Sequence, residues 1–183
     1  MSVKERILEA GVSILHEQGI AGITGPRVAR EAGVSQSHLT YYFPTRDKLL
    51  MAIANRSVDT LIGLFEAADV GNLESPFQRT SLSPLLISQT RVMAGLLVAA
   101  DTDPELRSAL NELVMGFRVR LAKFLPRFGI EPTENNVLMM HANLVGLAVM
   151  NFARQTEDSI KDFMVGMQNV VTLLHKDSNA TKE

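Results

Sequence analysis

The sequence predicts an all-α fold, with an N-terminal three-helix domain followed by a longer helical domain. Apolar residues recur every three or four positions in successive segments, which is the period of an amphipathic helix. Capping residues precede several of these segments, and Gly or Pro often follows them. No segment shows the alternation of apolar and polar residues that is typical of a half-buried strand. With 183 residues, 46% of them hydrophobic, the chain can bury a sizeable core.

The first part of the chain predicts three short helices and the start of a longer one. An apolar stripe from Val3 to Leu15 predicts a first helix that ends at Gly19. The second helix is expected over about 25–32, with Thr24 as N-cap, and the third over about 36–43. Pro44 stops the third helix, and the fourth then runs to about residue 68.

The second part predicts four more helices after a linker at 71–76. We expect them over about 84–100, 104–128, 133–154 and 159–176. Asp103 or Thr102 before Pro104, and Thr133 before the next helix, are start signals. The polar tail after Lys176 is expected to fray. The predicted domains are 1–48 and 49–183.

Residues 24–50 predict a helix-turn-helix, the motif that places one helix in the major groove of DNA. Gly33 supplies a turn residue that can take a positive φ without steric cost. In the next helix only Leu39 and Phe43, one turn apart, are required for packing. The remaining side chains hydrogen-bond or stack, as base edges require. The candidate groove readers are Gln36, Ser37, His38, Thr40 and Tyr41.

Individual roles follow from side-chain chemistry. A glutamine such as Gln36 can pair with adenine, and the methyl group of Thr40 suits thymine. The hydroxyls of Tyr41, Tyr42 and Thr24 can donate to phosphates. Arg27 is a further phosphate candidate, with a solvated charged face as the alternative. Tyr42 is alternatively part of the core, and Ser37 a first-turn residue without a contact.

These residues resemble the DNA-binding domain of the TetR family of bacterial regulators. The resemblance rests on the run AREAGVS, Leu39, Tyr42-Phe43-Pro44 and Asp47-Lys48-Leu49-Leu50, and it covers about residues 4–50. It implies a DNA-backbone contact for Lys48 and a C-terminal domain that dimerises and binds an effector. Thr40, where the family usually has an aromatic residue, and Gly25-Pro26 depart from the pattern. The resemblance therefore implies the binding mode but not the operator sequence.

The charge distribution favours DNA binding only weakly. The net charge is −2, divided as +1 over residues 1–50 and −3 over the rest. Binding must therefore depend on a few well-placed phosphate contacts and on the doubling of the surface in a dimer.

The last two helices are the expected dimer interface, since both are apolar on more than one side. The resemblance implies a four-helix bundle from two subunits there, with an intrachain core as the alternative. Such a dimer would present two recognition helices about 34–36 Å apart, to successive major grooves of a palindrome. The apolar positions are Val137, Met140, His141, Leu144, Val145, Leu147, Ala148, Met150 and Phe152, then Ile160, Phe163, Met164, Met167, Val170, Val171 and Leu174.

The resemblance also implies an effector pocket among the middle helices. A largely apolar molecule with one polar or acidic group is the expected ligand class. The alternative is ordinary core, with a structural histidine at 141. The candidates are Gln89, Arg91, Met93, Asn111, Val114, Phe117, Arg118 and His141.

Catalytic, metal and cofactor sites are not expected. The chain has no cysteine, and its four histidines, at 16, 38, 141 and 175, lack ligand spacing. It has no phosphate-cradling loop and no strained nucleophile turn. Without a signal peptide or a segment approaching the roughly 20 apolar residues of a membrane span, a soluble cytoplasmic protein is expected.

The sequence is therefore interpreted as a homodimeric, ligand-responsive transcription regulator, and the resemblance favours a repressor. Its partners would be an operator duplex, a second copy and a small molecule. A helical ligand carrier or protein-interaction module without specific DNA binding is the alternative. A third possibility is a catalytic all-α domain fused to a DNA-binding module.

Overall fold

The computed structural model describes residues 1–67 and 82–180, and these form α-helices without any strand. The all-α prediction is confirmed. The predicted linker at 71–76 lies outside the described residues. The helices are α1 Val3–Gln18, α2 Gly25–Glu31, α3 Gln36–Tyr42, α4 Arg46–Ala67, α5 Leu82–Ala100, α6 Pro104–Phe124, α7 Glu134–Arg154 and α8 Glu157–Ala180, with 3-10 turns at Ile20–Gly22 and Leu125–Phe128.

Most predicted helix starts carry the expected cap. The side chains of Ser35, Thr133 and Asp103 accept hydrogen bonds from backbone N–H groups three residues on. Thr45 does the same for Lys48. Thr24 stands at the N-cap of α2, but its hydroxyl makes no capping hydrogen bond.

Four boundaries differ from the prediction by two residues or more. α5 begins at Leu82 rather than at about residue 84. α8 continues to Ala180, so the tail that was expected to fray after Lys176 is helical as far as residue 180.

The other two differences have local causes. α6 ends at Phe124, because the chain tightens into a 3-10 turn that closes at Gly129 with φ 67°. α8 begins at Glu157 rather than Ser159, because Thr156 and Ser159 cap each other. Each backbone N–H donates to the other hydroxyl, at 3.0 and 3.1 Å.

The structure divides into two compact units. The first comprises residues 1–61 and 91–113 and contains the helix-turn-helix. Gly11 of α1 packs directly on α4, where an added Cβ would overlap Cδ1 of Ile53. Arg91 of α5 donates from Nη1 to the carbonyl of His16, at 3.1 Å. This unit therefore includes segments beyond residue 48 that pack with α1.

The second unit comprises the described residues of 62–90 and 114–183, and α7 and α8 form much of it. Phe163 and Met167 of α8 are almost completely buried, as is Leu125. A buried hydrogen bond of 2.8 Å from Ser159 Oγ to Asn151 Oδ1 joins the two helices at their connection. This bond satisfies polar atoms that the interior would otherwise leave unpaired.

α7 is the only helix among the described residues that is long and apolar enough to cross a membrane, with a mean hydropathy of 1.3 over its best window. Sequence analysis had expected none. Length and composition alone are weak evidence, because core helices of soluble proteins meet the same criteria.

Candidate nucleic-acid interface

The turn between α2 and α3 is built around Gly33. Its φ of 63° lies in the left-handed region that favours glycine. The amide of Gly33 donates to Arg30 O at 3.1 Å, and that of Val34 donates to Ala29 O at 2.9 Å. These bonds close the end of α2 and direct the chain into α3.

Two residues anchor α3. Leu39 is 3% exposed, and Phe43, directly after the helix, is 6% exposed. The other six residues of α3 are exposed. The structure thus places on one accessible surface the predicted readers and Tyr42, namely Gln36, Ser37, His38, Thr40, Tyr41 and Tyr42.

Internal hydrogen bonds limit the donors and acceptors that two of these side chains can present to DNA. Thr40 Oγ1 donates to the carbonyl of Gln36 at 3.0 Å, so its methyl group and oxygen lone pairs remain for a partner. Ser37 Oγ lies 2.9 Å from Oγ of Ser35, the α3 cap. Ser37 therefore also participates in the local capping arrangement.

The two tyrosines are arranged edge to face, with ring centroids 5.2 Å apart. Tyr41 is 79% exposed and Tyr42 is 40% exposed. Neither ring is part of the core, and both hydroxyls can act as donors.

The remaining candidates flank α3. Thr24 is exposed before α2, Arg27 is half-buried on α2, and Lys48 is exposed in the first turn of α4. Arg46, also exposed there, was counted in the charge balance but not assigned a role. Its position beside Lys48 in the sequence was the signal that could have identified it.

The predicted effector residues fall into both compact units. Arg91, Met93 and Asn111 belong to the first unit. Asn111 lies in an open surface depression formed by residues 101–111, and Arg91 is bonded to His16. The others, namely Gln89, Val114, Phe117, Arg118 and His141, belong to the second unit. Gln89 is buried there and its side chain has an interaction partner.

Three candidates in the second unit are in direct contact. Arg118 Nε donates to Nδ1 of His141 at 3.3 Å, which assigns the hydrogen of the neutral imidazole to Nε2. The rings of Phe117 and His141 lie 4.8 Å apart. Burial lowers the pKa of His141, and the positive charge of Arg118 lowers it further. His141 is thus a side chain with both a hydrogen-bond partner and a ring contact.

A narrow apolar cleft in the second unit has about 520 Å³ of empty space, including the part open to solvent. Of the predicted effector residues, Phe117 lines it. Its other lining residues are Ile62, Arg120, Leu121, Phe124, Leu125, Phe128, Met140, Leu144, Met167 and Val171. Four of these lining residues, on α7 and α8, were expected at the dimer interface instead. In the described part of the chain, no group of three potential ligands could hold a metal ion.

The fold and the interface define a helix-turn-helix protein with additional helices after the motif. A family model described as "Bacterial regulatory proteins, tetR family" matches residues 7–53. The nucleoid occlusion factor SlmA of Glaesserella parasuis is 30% identical over 148 residues, which cover 76% of this chain and 67% of that protein. The chain belongs to the TetR family of bacterial regulatory proteins.

Other similarities agree with this assignment. An uncharacterized HTH-type transcriptional regulator in the dhlA 5′ region of Xanthobacter autotrophicus is 42% identical over 52 residues, or 28% of this chain. That match spans only 26% of the length of the Xanthobacter protein. A match to the nucleoid occlusion factor SlmA of Actinobacillus pleuropneumoniae spans 35% of the length of that protein. A crystal structure of a Rhodococcus transcriptional regulator aligns over 97% of both chains, with a TM-score of 0.69 and 22% identity. That likeness establishes the fold.

Proposed function

We propose that this protein is a transcription regulator, a repressor, that binds a palindromic DNA operator as a homodimer and responds to a small molecule. The main support for DNA binding is the surface of α3. This short helix has six exposed polar or aromatic side chains and is anchored by the buried Leu39 and Phe43. Such a helix contributes little to the core but offers the donors, acceptors and methyl group that base edges recognise. The TetR-family domain at residues 7–53 supports the same mode.

The exposed side chains divide into two roles. Gln36, His38 and Thr40 are the proposed base readers, with Ser37 and Tyr41 beside them. Tyr42, Thr24, Arg27 and Lys48 are the proposed phosphate contacts, which set position and supply most of the salt dependence.

The homodimer is supported by an exposed apolar stripe on α7. Leu138, Val145 and Val149 recur at helical spacing and remain 43%, 48% and 50% exposed. An added Cβ on Gly146 would meet nothing within 4 Å, so a second helix could approach closely here. Val137, Met140 and Leu144 face the chain's own interior instead. We propose that the stripe at 138, 142, 145 and 149 packs against a second copy.

The effector is proposed to bind the apolar cleft of the second unit. Its aromatic and aliphatic walls suit an apolar molecule, and Arg120 is its charged lining residue. To regulate, this molecule must bind one DNA-binding state better than the other.

DNA binding is tested by titrating the duplex that flanks the protein's own coding region, across salt concentrations and against a scrambled duplex. Selective binding with a steep salt dependence supports the proposal. Equal and weak binding to both duplexes would reject that duplex as operator. No binding even at low salt would instead favour the ligand carrier or interaction module.

The cleft is tested with Nile red, an uncharged apolar fluorophore. We expect Leu121→Trp, which fills the cleft, to reduce fluorescence enhancement. Val119→Trp on the same helix is the control, since Val119 is 58% exposed and outside the cleft lining. Equal enhancement in both variants would reject this cleft as the binding site.

A further inference from the structure

The side chain of the first residue of α3 occupies the space beside the first residue of α2. A Cβ added to Gly25 would lie 2.7 Å from Nε2 of Gln36, 3.7 Å from its Cδ and 3.8 Å from its Oε1. The carboxamide of Gln36 therefore occupies the space that a side chain at position 25 would need. This gives a physical reason for glycine at position 25.

The contact constrains an exposed side chain. Gln36 is accessible to solvent, and without a neighbour its side chain would sample several rotamers. The open space beside Gly25 admits the rotamer that places the terminal amide there, and a side chain at position 25 would exclude it. Because a flexible side-chain end meets the added Cβ, any larger residue at 25 would displace the amide rather than disrupt the core.

The direction of this amide matters for base reading. A glutamine distinguishes adenine when its amide nitrogen and oxygen meet N7 and the N6 amino group together. That bidentate geometry requires a defined orientation of the carboxamide plane. A side chain held in the required rotamer loses less conformational freedom on binding than a free one.

We propose that Gly25 is a specificity-determining positioning residue. By lacking a side chain, it leaves room for the Gln36 carboxamide beside the start of α2 and so selects the base pair that Gln36 reads. The inference rests on the proposed DNA-binding function and adds a residue that does not itself touch a base.

The first test uses the free full-length protein. Nuclear Overhauser effects between the side-chain amide protons of Gln36 and the α protons of Gly25 are expected in the wild type and absent in Gly25→Ala. Their absence from the wild type overturns the proposal, whatever the protein's function.

The second test selects from a randomised duplex library with four variants: wild type, Gly25→Ala, Gln36→Ala and the double variant. Gly25→Ala is expected to lower discrimination on the order of tenfold at the operator position where Gln36→Ala also loses it. In the Gln36→Ala background, the same glycine substitution should change nothing. Gly63→Ala is the matched control, because Gly63 is an exposed helical glycine with no neighbour within 4 Å of an added Cβ.

The outcomes separate the alternatives. An unchanged preference in Gly25→Ala overturns the proposal. A change that persists in the Gln36→Ala background also overturns it, because the effect would then pass through the backbone or the adjoining Pro26. A wild type that enriches no sequence rejects the proposed function together with this inference, while the nuclear Overhauser result still reports whether the contact exists.

Discussion

At the scale of single residues, the proposed interface contains few strong charges, so each basic side chain there carries a large share of the electrostatic attraction. Residues 1–50 have a net charge of only +1. The two capping hydroxyls, of Ser35 and Thr45, and the Thr40 bond to Gln36 orient the backbone and α3 but add no positive charge. The accessible basic side chains of the helix-turn-helix and the start of α4 are Arg27, Arg30, Arg46 and Lys48. Nonspecific attraction is expected to depend on them.

Lys48→Ala is therefore expected to weaken binding to operator and random duplex to a similar extent. The slope of log K against log salt should fall by roughly one per half-site, because one phosphate contact is lost. Fluorescence anisotropy at several salt concentrations measures both quantities. Lys161→Ala removes a lysine paired with Asp158 on α8 and should leave the slope unchanged. An unaltered slope in Lys48→Ala would remove Lys48 from the interface.

Two histidines should make stability depend on pH. Burial lowers the pKa of His16, whose Nε2 lies 3.0 Å from Ser57 Oγ, and burial and Arg118 lower that of His141. In each case the unfolded chain, with a pKa near 6.5, takes up the proton first as pH falls. Their contribution to stability is thus complete above pH 6.5 and is lost between that value and the lower folded pKa.

The free energy of unfolding from urea titrations should accordingly be lower at pH 5 than at pH 7.5. His16→Gln and His141→Gln should each reduce that difference, because glutamine does not titrate. Undiminished pH dependence in both variants would show that other groups are responsible.

At the scale of elements, capping explains why several helix starts could be predicted. A cap is a contact within four residues, so Ser35, Thr45 and Thr133 are visible in the sequence itself. The start of α8 was predicted two residues late, because Thr156 and Ser159 are both capping residues and only their reciprocal bonds select Thr156.

Thr133→Ala tests such a cap. Thr133 accepts from Asn136 N at 3.1 Å, and its loss should lower the free energy of unfolding by about 1 kcal/mol. Thr172→Ala is the control: this exposed threonine inside α8 bonds to the carbonyl of Gln168, and alanine is the better helix former there. Equal destabilisation of the two variants would mean that the Thr133 hydroxyl has no special capping role.

At the scale of the whole molecule, the spacing of apolar residues predicts which helices are apolar but not which surfaces pack together. The spacing of Leu39 and Phe43 identified the buried side of α3, because one short helix on a small domain has one packing surface. The spacing in α7 identified an apolar helix but not its partners. Val137 and Leu144 are buried within the chain, whereas Val145 and Val149 are exposed.

The effector candidates show the same difficulty. Arg91 and Arg118 both looked like polar anchors near apolar residues. The structure assigns them to different compact units, where they bond to His16 and His141 respectively. Such pairings depend on contacts between residues distant in the chain, which periodicity does not specify. Most of the walls of the apolar cleft were not predicted, because apolar spacing on α7 and α8 does not tell a cleft wall from a dimer interface.

The proposed dimer gives the decisive test at this scale. Val149→Glu would bring two symmetric carboxylates into an apolar interface. Val149 is already half-buried, so dimerisation gains about 1 kcal/mol or less from each valine; loss of both, together with desolvation of two carboxylates, should weaken dimerisation roughly 100-fold or more. Sedimentation equilibrium measures the dissociation constant. Val98→Glu on α5 is the control, since Val98 is 77% exposed and lies in the other compact unit.

If Val149→Glu remains as dimeric as wild type, the stripe on α7 is not the interface. If it becomes a folded monomer, operator affinity should fall with it, because one subunit presents only one recognition helix to a two-part site.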